Sequence, residues 1–217
     1  MTIYGFLWDM DGVLVDTGEF HYVSWIETLP LYGLTMSRET FNTTFGMNNT
    51  GVLSTILGYT PSPEYVSEVG GRKEEAFREA VRGHAKLLPG VMDWLNTLHQ
   101  MGVRQAVASS APIENVNVLV EEAGIRPYFQ ALVSALGKPS KPDPWVFLTA
   151  AQQIGVEPQH CTVVEDAIAG VEAARRGGMR CIAVTNTNPA EKLTAAERVV
   201  ARLDEISPLE WLQLTAS

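Results

Sequence analysis

The sequence predicts an α/β fold, a doubly wound parallel sheet into which a second, α-helical domain is inserted. Short runs rich in β-branched residues recur along most of the chain, and segments with helical periodicity follow them. This alternation of strand and helix indicates β-α units, which build parallel sheets. One long stretch near the N-terminus has helical periodicity and turn residues but no convincing strand, so it predicts the inserted domain.

The predicted elements follow one another in a regular order. The β-α repeat predicts strands over residues 4–8, 103–108, 131–134, 162–164, 181–184 and 199–201, and helices over residues 91–101, 112–123, 144–154 and 168–176. A glycine follows each of these helices, as is typical of a helix C-terminus.

The interruption of this order defines two domains. Residues 16–86 are predicted to form a helical cap domain, and residues 1–15 and 87–217 are predicted to form the α/β core. Leu87-Leu88-Pro89-Gly90 marks the return to the core, because proline and glycine punctuate a domain boundary.

Composition narrows the classes of function. The 217 residues are 46% hydrophobic and 19% charged, which is ordinary for a globular domain and disfavours disorder, collagen-like repeats and coiled coils. A formal net charge of -9 argues against a broad nucleic-acid or anionic-membrane surface, since both need basic faces.

No stretch approaches the roughly 18 apolar residues of a membrane span, and no basic leader opens the chain, so a cytoplasmic protein is expected. Cys161 and Cys181 lie in apolar runs and predict core thiols.

The residues that follow the strands are the first to inspect for chemistry, because ligands collect beyond the carboxyl ends of parallel strands. Polar clusters follow four of the predicted strands: Asp9-Met10-Asp11-Gly12, Ser109-Ser110-Ala111, Lys141-Pro142-Asp143-Pro144 and Glu165-Asp166. Together they offer a nucleophile, hydroxyl and amide donors, a cation and carboxylates for a metal.

These side chains suit phosphoryl transfer. A phosphate monoester is an anion, so a carboxylate can attack it only if positive charge stabilises the phosphate oxygens. Mg²⁺ and Lys141 would supply that charge, with Asp9, Asp166 and Glu165 as the carboxylates around the ion. Asp9 would form an acyl-phosphate, and Asp11 would protonate the leaving alcohol and then activate water.

Each signal also has an ordinary structural explanation. Asp11-Gly12 is a common turn dipeptide, Asp166 is placed to N-cap the following helix, and Ser110 is placed to cap before Pro112. A lone Lys141 would be a solvated surface residue. The functional interpretation depends on the coincidence of four polar clusters at strand ends.

The same stretches resemble the haloacid dehalogenase (HAD) superfamily of phosphotransferases that carry a helical cap after the first strand. The similarity is to β-phosphoglucomutases and small sugar-phosphate phosphatases. It lies in residues 8–17, 108–111 and 141–144, and in residues 164–174, which read Val-Glu-Asp-Ala-Ile-Ala-Gly-Val-Glu-Ala-Ala.

The resemblance implies a role for each matching residue. It implies a Rossmann-like core with Asp9 as nucleophile and metal ligand, and Asp11 as acid/base with its backbone carbonyl on the metal. It further implies Ser109 and Lys141 on the phosphate, with Asp166 and Glu165 at Mg²⁺. Ser110 and Ala111, beside Ser109, are predicted substrate contacts.

Two lysines compete for one role. Gly137-Lys138-Pro139 also resembles the family's lysine motif, but Lys141 is followed by an intact Pro-x-Pro, so Lys141 is predicted and Lys138 is held in reserve.

Predicted substrate contacts in the inserted domain are His21, Asn49, Arg72 and Lys73. His21 and Trp25 equally fit a packed helix face, and Arg72-Lys73 equally fit a solvated one. Resembling mutases place an arginine shortly after a glycine in this insert, whereas residues 46–50 read Gly-Met-Asn-Asn-Thr. Amides suit sugar hydroxyls better than a second phosphate, which favours a phosphatase.

The predicted function is therefore Mg²⁺-dependent hydrolysis of a small phosphate ester, such as a sugar phosphate. A phosphosugar mutase is the main alternative, because Arg72 and Lys73 could bind a second phosphate. Asp11 argues against a dehalogenase. A non-enzymatic phospho-acceptor receiver is a further alternative, which the large insert disfavours. The sequence carries no signal for an oligomeric state.

Overall fold

The computed structural model describes residues 3–215, with only the backbone described for Leu214 and Thr215. The chain divides into two compact units. The α/β unit comprises the described residues up to Asp16 and those from Lys86 onwards, and the helical unit comprises Thr17–Ala85. The predicted core domain includes residues 1–2 and 216–217, which lie outside the described residues.

The α/β unit is built on six parallel strands in the order β3-β2-β1-β4-β5-β6. They are β1 Gly5–Trp8, β2 Arg104–Ser109, β3 Ala131–Ser134, β4 Cys161–Glu165, β5 Arg180–Val184 and β6 Arg198–Val200. All six predicted strands are present, and the predicted α/β class with a doubly wound parallel sheet is confirmed.

Helices α5 Val91–Gln100, α6 Ile113–Glu122, α7 Trp145–Gln153 and α8 Ile168–Arg176 connect the strands, and α9 Pro208–Thr215 follows the last one. The sequence interpretation missed α9. Short 3₁₀ turns cover Arg126–Tyr128, Pro158–His160, Ala190–Lys192 and Leu203–Glu205.

Buried side chains on both faces of the sheet explain why its strands are apolar throughout. Leu7, Ala106 and Val163 join α7 and α8 side chains in one cluster, and Trp8 packs edge-on against Trp94 of α5 at 6.3 Å between ring centroids. A sheet covered on both faces has no solvated side, which accounts for continuous hydrophobic runs in place of alternation.

The helical unit contains α1 Gly18–Thr28, α2 Arg38–Thr44, α3 Asn49–Leu57 and α4 Pro63–Val81, with a 3₁₀ turn at Leu29–Tyr32. Its own core is a cluster of buried apolar side chains: Trp25, Leu29, Met36, Phe41, Val52, Leu53 and Val69. Ser37, Asn48 and Ser62 accept backbone N–H groups as N-caps of α2, α3 and α4.

The chain leaves and re-enters the α/β unit along one short ladder. Val15 forms an isolated bridge to Leu87, and Asp16 N donates to Lys86 O at 3.3 Å. No helix in the described part of the chain combines the length and the apolar character needed to cross a membrane.

Candidate active site

The order of the strands brings the polar residues to one edge of the sheet. β1 lies between β2 and β4, and Trp8 is in register with both Val107 and Val164. Asp9 therefore leaves the sheet beside the ends of both neighbouring strands, where β2 closes with Ser109 and β4 closes with Glu165.

Lys141 lies between two of the carboxylates. Its Nζ is ion-paired with Oδ1 of Asp9, and it donates to Oε1 of Glu165 at 2.6 Å. The lysine side chain is only 8% exposed. Lys138, the reserve candidate, instead lies with its Nζ 5.8 Å from the ring centroid of Trp145. Lys141 is thus the lysine that the fold brings to Asp9.

Glu165 is held at both of its oxygens. While Oε1 accepts from Lys141, Oε2 accepts the backbone N–H groups of Asp166 at 2.8 Å and Ala167 at 2.9 Å. Gly170 makes room for this carboxylate, because a Cβ at position 170 would lie 1.8 Å from Oε1. The position of the Glu165 carboxylate is therefore fixed, and this carboxylate orients Lys141.

A third carboxylate completes an acidic group. Within residues 3–215, Asp9, Glu165 and Asp166 each offer an oxygen within 4.8 Å of the others, and all three residues are buried. Three carboxylates face one ammonium here, so the ionised group carries two negative charges in excess. The donor set and the charge both fit a hard divalent cation such as Mg²⁺, which prefers carboxylate oxygens.

Burial and neighbouring charges shift the ionisation of these groups. Burial raises the pKa of Asp9, with the charges of Glu165 and Asp11 adding to the rise and Lys141 opposing it. Burial likewise raises the pKa of Asp166, reinforced by Glu165 and Asp9. For Lys141, burial lowers the pKa, but the charges of Asp9 and Glu165 outweigh burial and hold it above the usual value. A bound cation would favour the ionised carboxylates.

Asp11 and the loop after β2 lie beside this group. Asp11 is partly buried, and its charge acts on Asp9. The turn after Asp11 is tight, since Gly12 N donates to Val15 O at 2.9 Å. Ser109 is buried, and its Oγ accepts from Ala111 N at 3.0 Å. Ser110, predicted with Ala111 to contact substrate, is partly buried in the loop after β2.

Three of the ordinary structural explanations are wrong: Lys141 is not solvated, and neither proposed helix cap is present. The N-cap of α8 is Ala167, with no side-chain capping bond, so Asp166 does not cap that helix. The N-cap of α6 is Pro112, so Ser110 is not its cap either. The reason is the same in both cases: each helix begins later in the chain than a capping role for these side chains would need.

The sequence interpretation missed three residues after β5. Thr187 Oγ1 donates to Asp166 Oδ2, Asn188 Nδ2 donates to Asp166 O at 3.1 Å, and Asn186 Nδ2 donates to Gly12 O at 2.7 Å. The available signal was their position at the carboxyl end of a predicted parallel strand.

The helical unit holds a polar cluster of its own. Lys73 Nζ contacts His21 Nδ1 at 2.7 Å and donates to both oxygens of Glu74 at 3.1 Å, while Asn49 Nδ2 donates to Glu74 Oε1 at 3.0 Å. Three of the four predicted substrate contacts in this unit are thus brought together, whereas Arg72 is exposed. The alternative of a solvated face is wrong for Lys73, whose side chain is 3% exposed.

A parallel α/β sheet whose carboxyl edge joins a buried aspartate to a lysine and further carboxylates is the arrangement expected of a phosphoryl-transfer enzyme. The sequence pattern of the family described as haloacid dehalogenase-like hydrolase matches residues 3–178. The chain belongs to this family, and the predicted enzyme class, a HAD-type phosphatase, is confirmed.

Known relatives refine the comparison. The chain is 32% identical over 182 residues to fructose-1-phosphate phosphatase YqaB of Escherichia coli, covering 83% of this chain and 95% of that one. It is 35% identical over 170 residues to the chloroplastic 5-amino-6-(5-phospho-D-ribitylamino)uracil phosphatase of Arabidopsis thaliana, covering 78% of this chain and 46% of that longer protein. A solved β-phosphoglucomutase from Clostridium difficile superposes with a TM-score of 0.85 at 25% identity, covering 99% and 97% of the two chains.

Proposed function

We propose that this chain hydrolyses a small phosphate monoester, a sugar phosphate or a related polyol phosphate, in a Mg²⁺-dependent reaction through a phosphoryl group carried on Asp9. The observation that carries the proposal is the ion pair between Lys141 and Asp9 inside a buried group of three carboxylates. Such a group is unfavourable unless a cation completes it, and that cation can in turn attract a phosphate.

In this proposal Asp9 and Asp166 would hold Mg²⁺ through carboxylate oxygens, together with the backbone carbonyl of Asp11. Bound Mg²⁺ supplies positive charge that offsets the repulsion between the carboxylates and the phosphate. Glu165 acts chiefly by orienting Lys141, because both of its oxygens already accept hydrogen bonds.

In the first half of the reaction, an oxygen of Asp9 forms a bond to phosphorus while the bond from phosphorus to the substrate alcohol breaks. Asp11 gives its proton to the departing oxygen, so the alcohol leaves neutral. Lys141 and the loop that begins at Ser109 hold the phosphate oxygens by charge and by hydrogen bonds.

The second half returns the enzyme to its starting state. Asp11, now a carboxylate, takes a proton from water as the water oxygen attacks phosphorus. The bond between phosphorus and Asp9 breaks, inorganic phosphate leaves, and Asp9 and Asp11 recover their original protonation. Splitting one displacement into two lowers each barrier.

The substrate class follows from the relatives and from residues 46–50. The two phosphatase relatives act on fructose 1-phosphate and on a phospho-ribitylamino compound, as their names state. This chain has no arginine in residues 46–50 that could bind a second phosphate, and an amide side chain stands at Asn49. A substrate with one phosphate and several hydroxyls fits that chemistry.

The direct test is multiple turnover of p-nitrophenyl phosphate by the purified chain with and without Mg²⁺, followed by a phosphate-release screen across sugar phosphates, polyol phosphates and nucleotides. We expect Mg²⁺-dependent turnover and a preference for phosphorylated sugars or polyols. A single stoichiometric phosphorylation of Asp9 without turnover would contradict the proposal and favour a receiver.

A phosphosugar mutase is the second candidate, favoured by the structural similarity to a β-phosphoglucomutase. The distinguishing experiment supplies β-glucose 1-phosphate with a glucose bisphosphate primer and follows both isomerisation and phosphate release. Isomerisation faster than phosphate release would replace the phosphatase assignment with the mutase.

Several expectations stay predictions. They are substrate contacts by Ser110, Ala111, His21, Asn49, Arg72 and Lys73, a substrate-covering role for the inserted domain at residues 16–86, and a cytoplasmic location.

A further inference from the structure

The loop after β5 donates three hydrogen bonds to residues at the candidate metal site. Its residues, Thr185 to Asn188, begin with Thr185 N donating to Val200 O at 3.1 Å, which ties the loop to β6. From there Thr187 and Asn188 both bond to Asp166, one at the side chain and one at the backbone carbonyl. One short segment therefore holds one carboxylate-bearing residue at two points.

Gly12 also restricts the same carboxylate. A Cβ at position 12 would lie 2.1 Å from Asp166 Oδ2 and 3.1 Å from Thr187 Oγ1. The backbone of Gly12, with φ of +79°, is itself fixed where Asn186 Nδ2 donates to its carbonyl. Asp166 Oδ2 thus lies in a space closed by Gly12 and Thr187, and the orientation of the carboxylate follows from both.

We propose that Thr187 is a positioning residue for Asp166: its hydroxyl fixes one carboxylate oxygen so that the other is presented to the metal. The inference rests on the proposed Mg²⁺-dependent function and adds a residue to it. Asn188 supports the same carboxylate through the backbone, and Asn186 supports the adjoining Gly12.

The physical reason is orientation. A carboxylate that can rotate offers a cation many geometries, and Mg²⁺ tolerates few departures from an octahedron. A hydrogen bond from a neighbouring group removes that freedom before the ion arrives, so binding does not carry the cost of ordering the side chain. Changes to such supporting groups typically weaken metal binding by about 10- to 100-fold.

The test uses the full chain and the metal alone. Mn²⁺, as a spectroscopic substitute for Mg²⁺, is titrated against wild-type protein, Thr187→Val, Thr187→Ser and the exposed control Thr194→Val, with free ion measured by electron paramagnetic resonance. The Mg²⁺ concentration that gives half-maximal turnover is measured in parallel, and folding is checked by circular dichroism.

We expect Thr187→Val to weaken Mn²⁺ binding about 10- to 100-fold and to raise the half-maximal Mg²⁺ concentration by a similar factor, with most of the turnover restored at saturating Mg²⁺. Thr187→Ser keeps the hydroxyl and should bind nearly as wild type does, as should Thr194→Val. A purely structural role for Thr187 would change stability without this rescue by metal.

Wild-type Mn²⁺ affinity in Thr187→Val would overturn the inference, and so would an equal loss in Thr187→Ser, which would assign the effect to the methyl group. If Thr187→Val does not fold, Thr187→Ala removes the hydroxyl without a new methyl beside Asp166 and takes its place. Absence of Mn²⁺ binding by the wild type is a different result, because it would contradict the proposed metal-dependent function itself.

Discussion

Each of the two units contains a buried lysine, and the carboxylates around the two lysines differ in number. In the α/β unit Lys141 lies between Asp9 and Glu165. In the helical unit Lys73 pairs with Glu74 and contacts His21. Both lysine side chains are less than a tenth exposed, so both clusters are desolvated to a similar degree.

The difference is the balance of charge. The described contacts place the carboxylate of Glu74 on Lys73, whereas Lys141 belongs to a group with the carboxylates of Asp9, Glu165 and Asp166. The attraction within an ion pair offsets part of the cost of burying its two charges, but an acidic excess in a buried place stays unfavourable until a cation enters. The comparison teaches that an excess of carboxylates, more than burial, marks a cluster prepared for a cation.

The largest expected effect comes from removing the nucleophile. Asp9→Asn keeps the shape of the side chain but cannot attack phosphorus, so we expect turnover of p-nitrophenyl phosphate to fall by about 10⁵-fold or more, the scale for losing a nucleophile. Asp93→Asn, on the exposed face of α5, makes the same chemical change elsewhere and should leave turnover intact. Retained activity in Asp9→Asn would refute the assignment.

Loss of Asp11 should be the next largest effect. Asp11→Asn removes the proton donor and is expected to lower turnover of a sugar phosphate by about 10²- to 10⁴-fold. The loss should be smaller with p-nitrophenyl phosphate, because p-nitrophenolate leaves without needing a proton. Equal losses on both substrates would argue that Asp11 acts on something other than the leaving group.

Substitutions in the cluster around Lys73 should lower the free energy of unfolding more than they lower the catalytic rate. Lys73→Met leaves Glu74 buried without its ammonium, and breaking a buried pair costs about 3–5 kcal/mol of unfolding free energy. Lys73→Met combined with Glu74→Gln should recover part of that loss, since the carboxylate that lost its ammonium is then replaced by a neutral amide. Urea denaturation measures both.

A double variant as unstable as Lys73→Met alone would show that the buried charge of Glu74 is not the cause of the instability. An increase in KM in the double variant, with stability recovered, would support the predicted substrate contact by Lys73.

The stabilisation of the folded protein by Mg²⁺ should be the smallest of these effects. It should also distinguish the two clusters most clearly, because only the acidic group should be needed for it. At 100 times its dissociation constant, a ligand that binds only the folded state stabilises it by about 2.7 kcal/mol. We expect Mg²⁺ to raise the melting temperature of the wild type and of Lys73→Met, but not that of Asp166→Asn. A Mg²⁺ response that survives in Asp166→Asn would place the ion outside the acidic group.

Much of the fold could be predicted from the sequence because a parallel sheet buried on both faces leaves a local signature. The run before Asp9 is apolar without alternation, and the predicted helix at 168–176 has the bounds of α8, Ile168–Arg176. Helix α9 was missed because it follows the last predicted strand, after which no further strand requires a connecting helix. The order of the strands was also beyond the sequence, since it depends on pairings between segments far apart in the chain.

The sequence by itself determined which residue types stand at the carboxyl ends of the strands, and through them the family and the candidates Asp9, Asp11, Lys141 and Asp166. Tertiary structure alone decided how they meet. It brings Lys141 to Asp9, while Lys138 lies near the ring of Trp145. It also supplies hydrogen bonds to both oxygens of Glu165, and one from Thr187 to Asp166. These outcomes depend on side-chain directions and on contacts across as many as 132 positions of chain, for which no local pattern of residues exists.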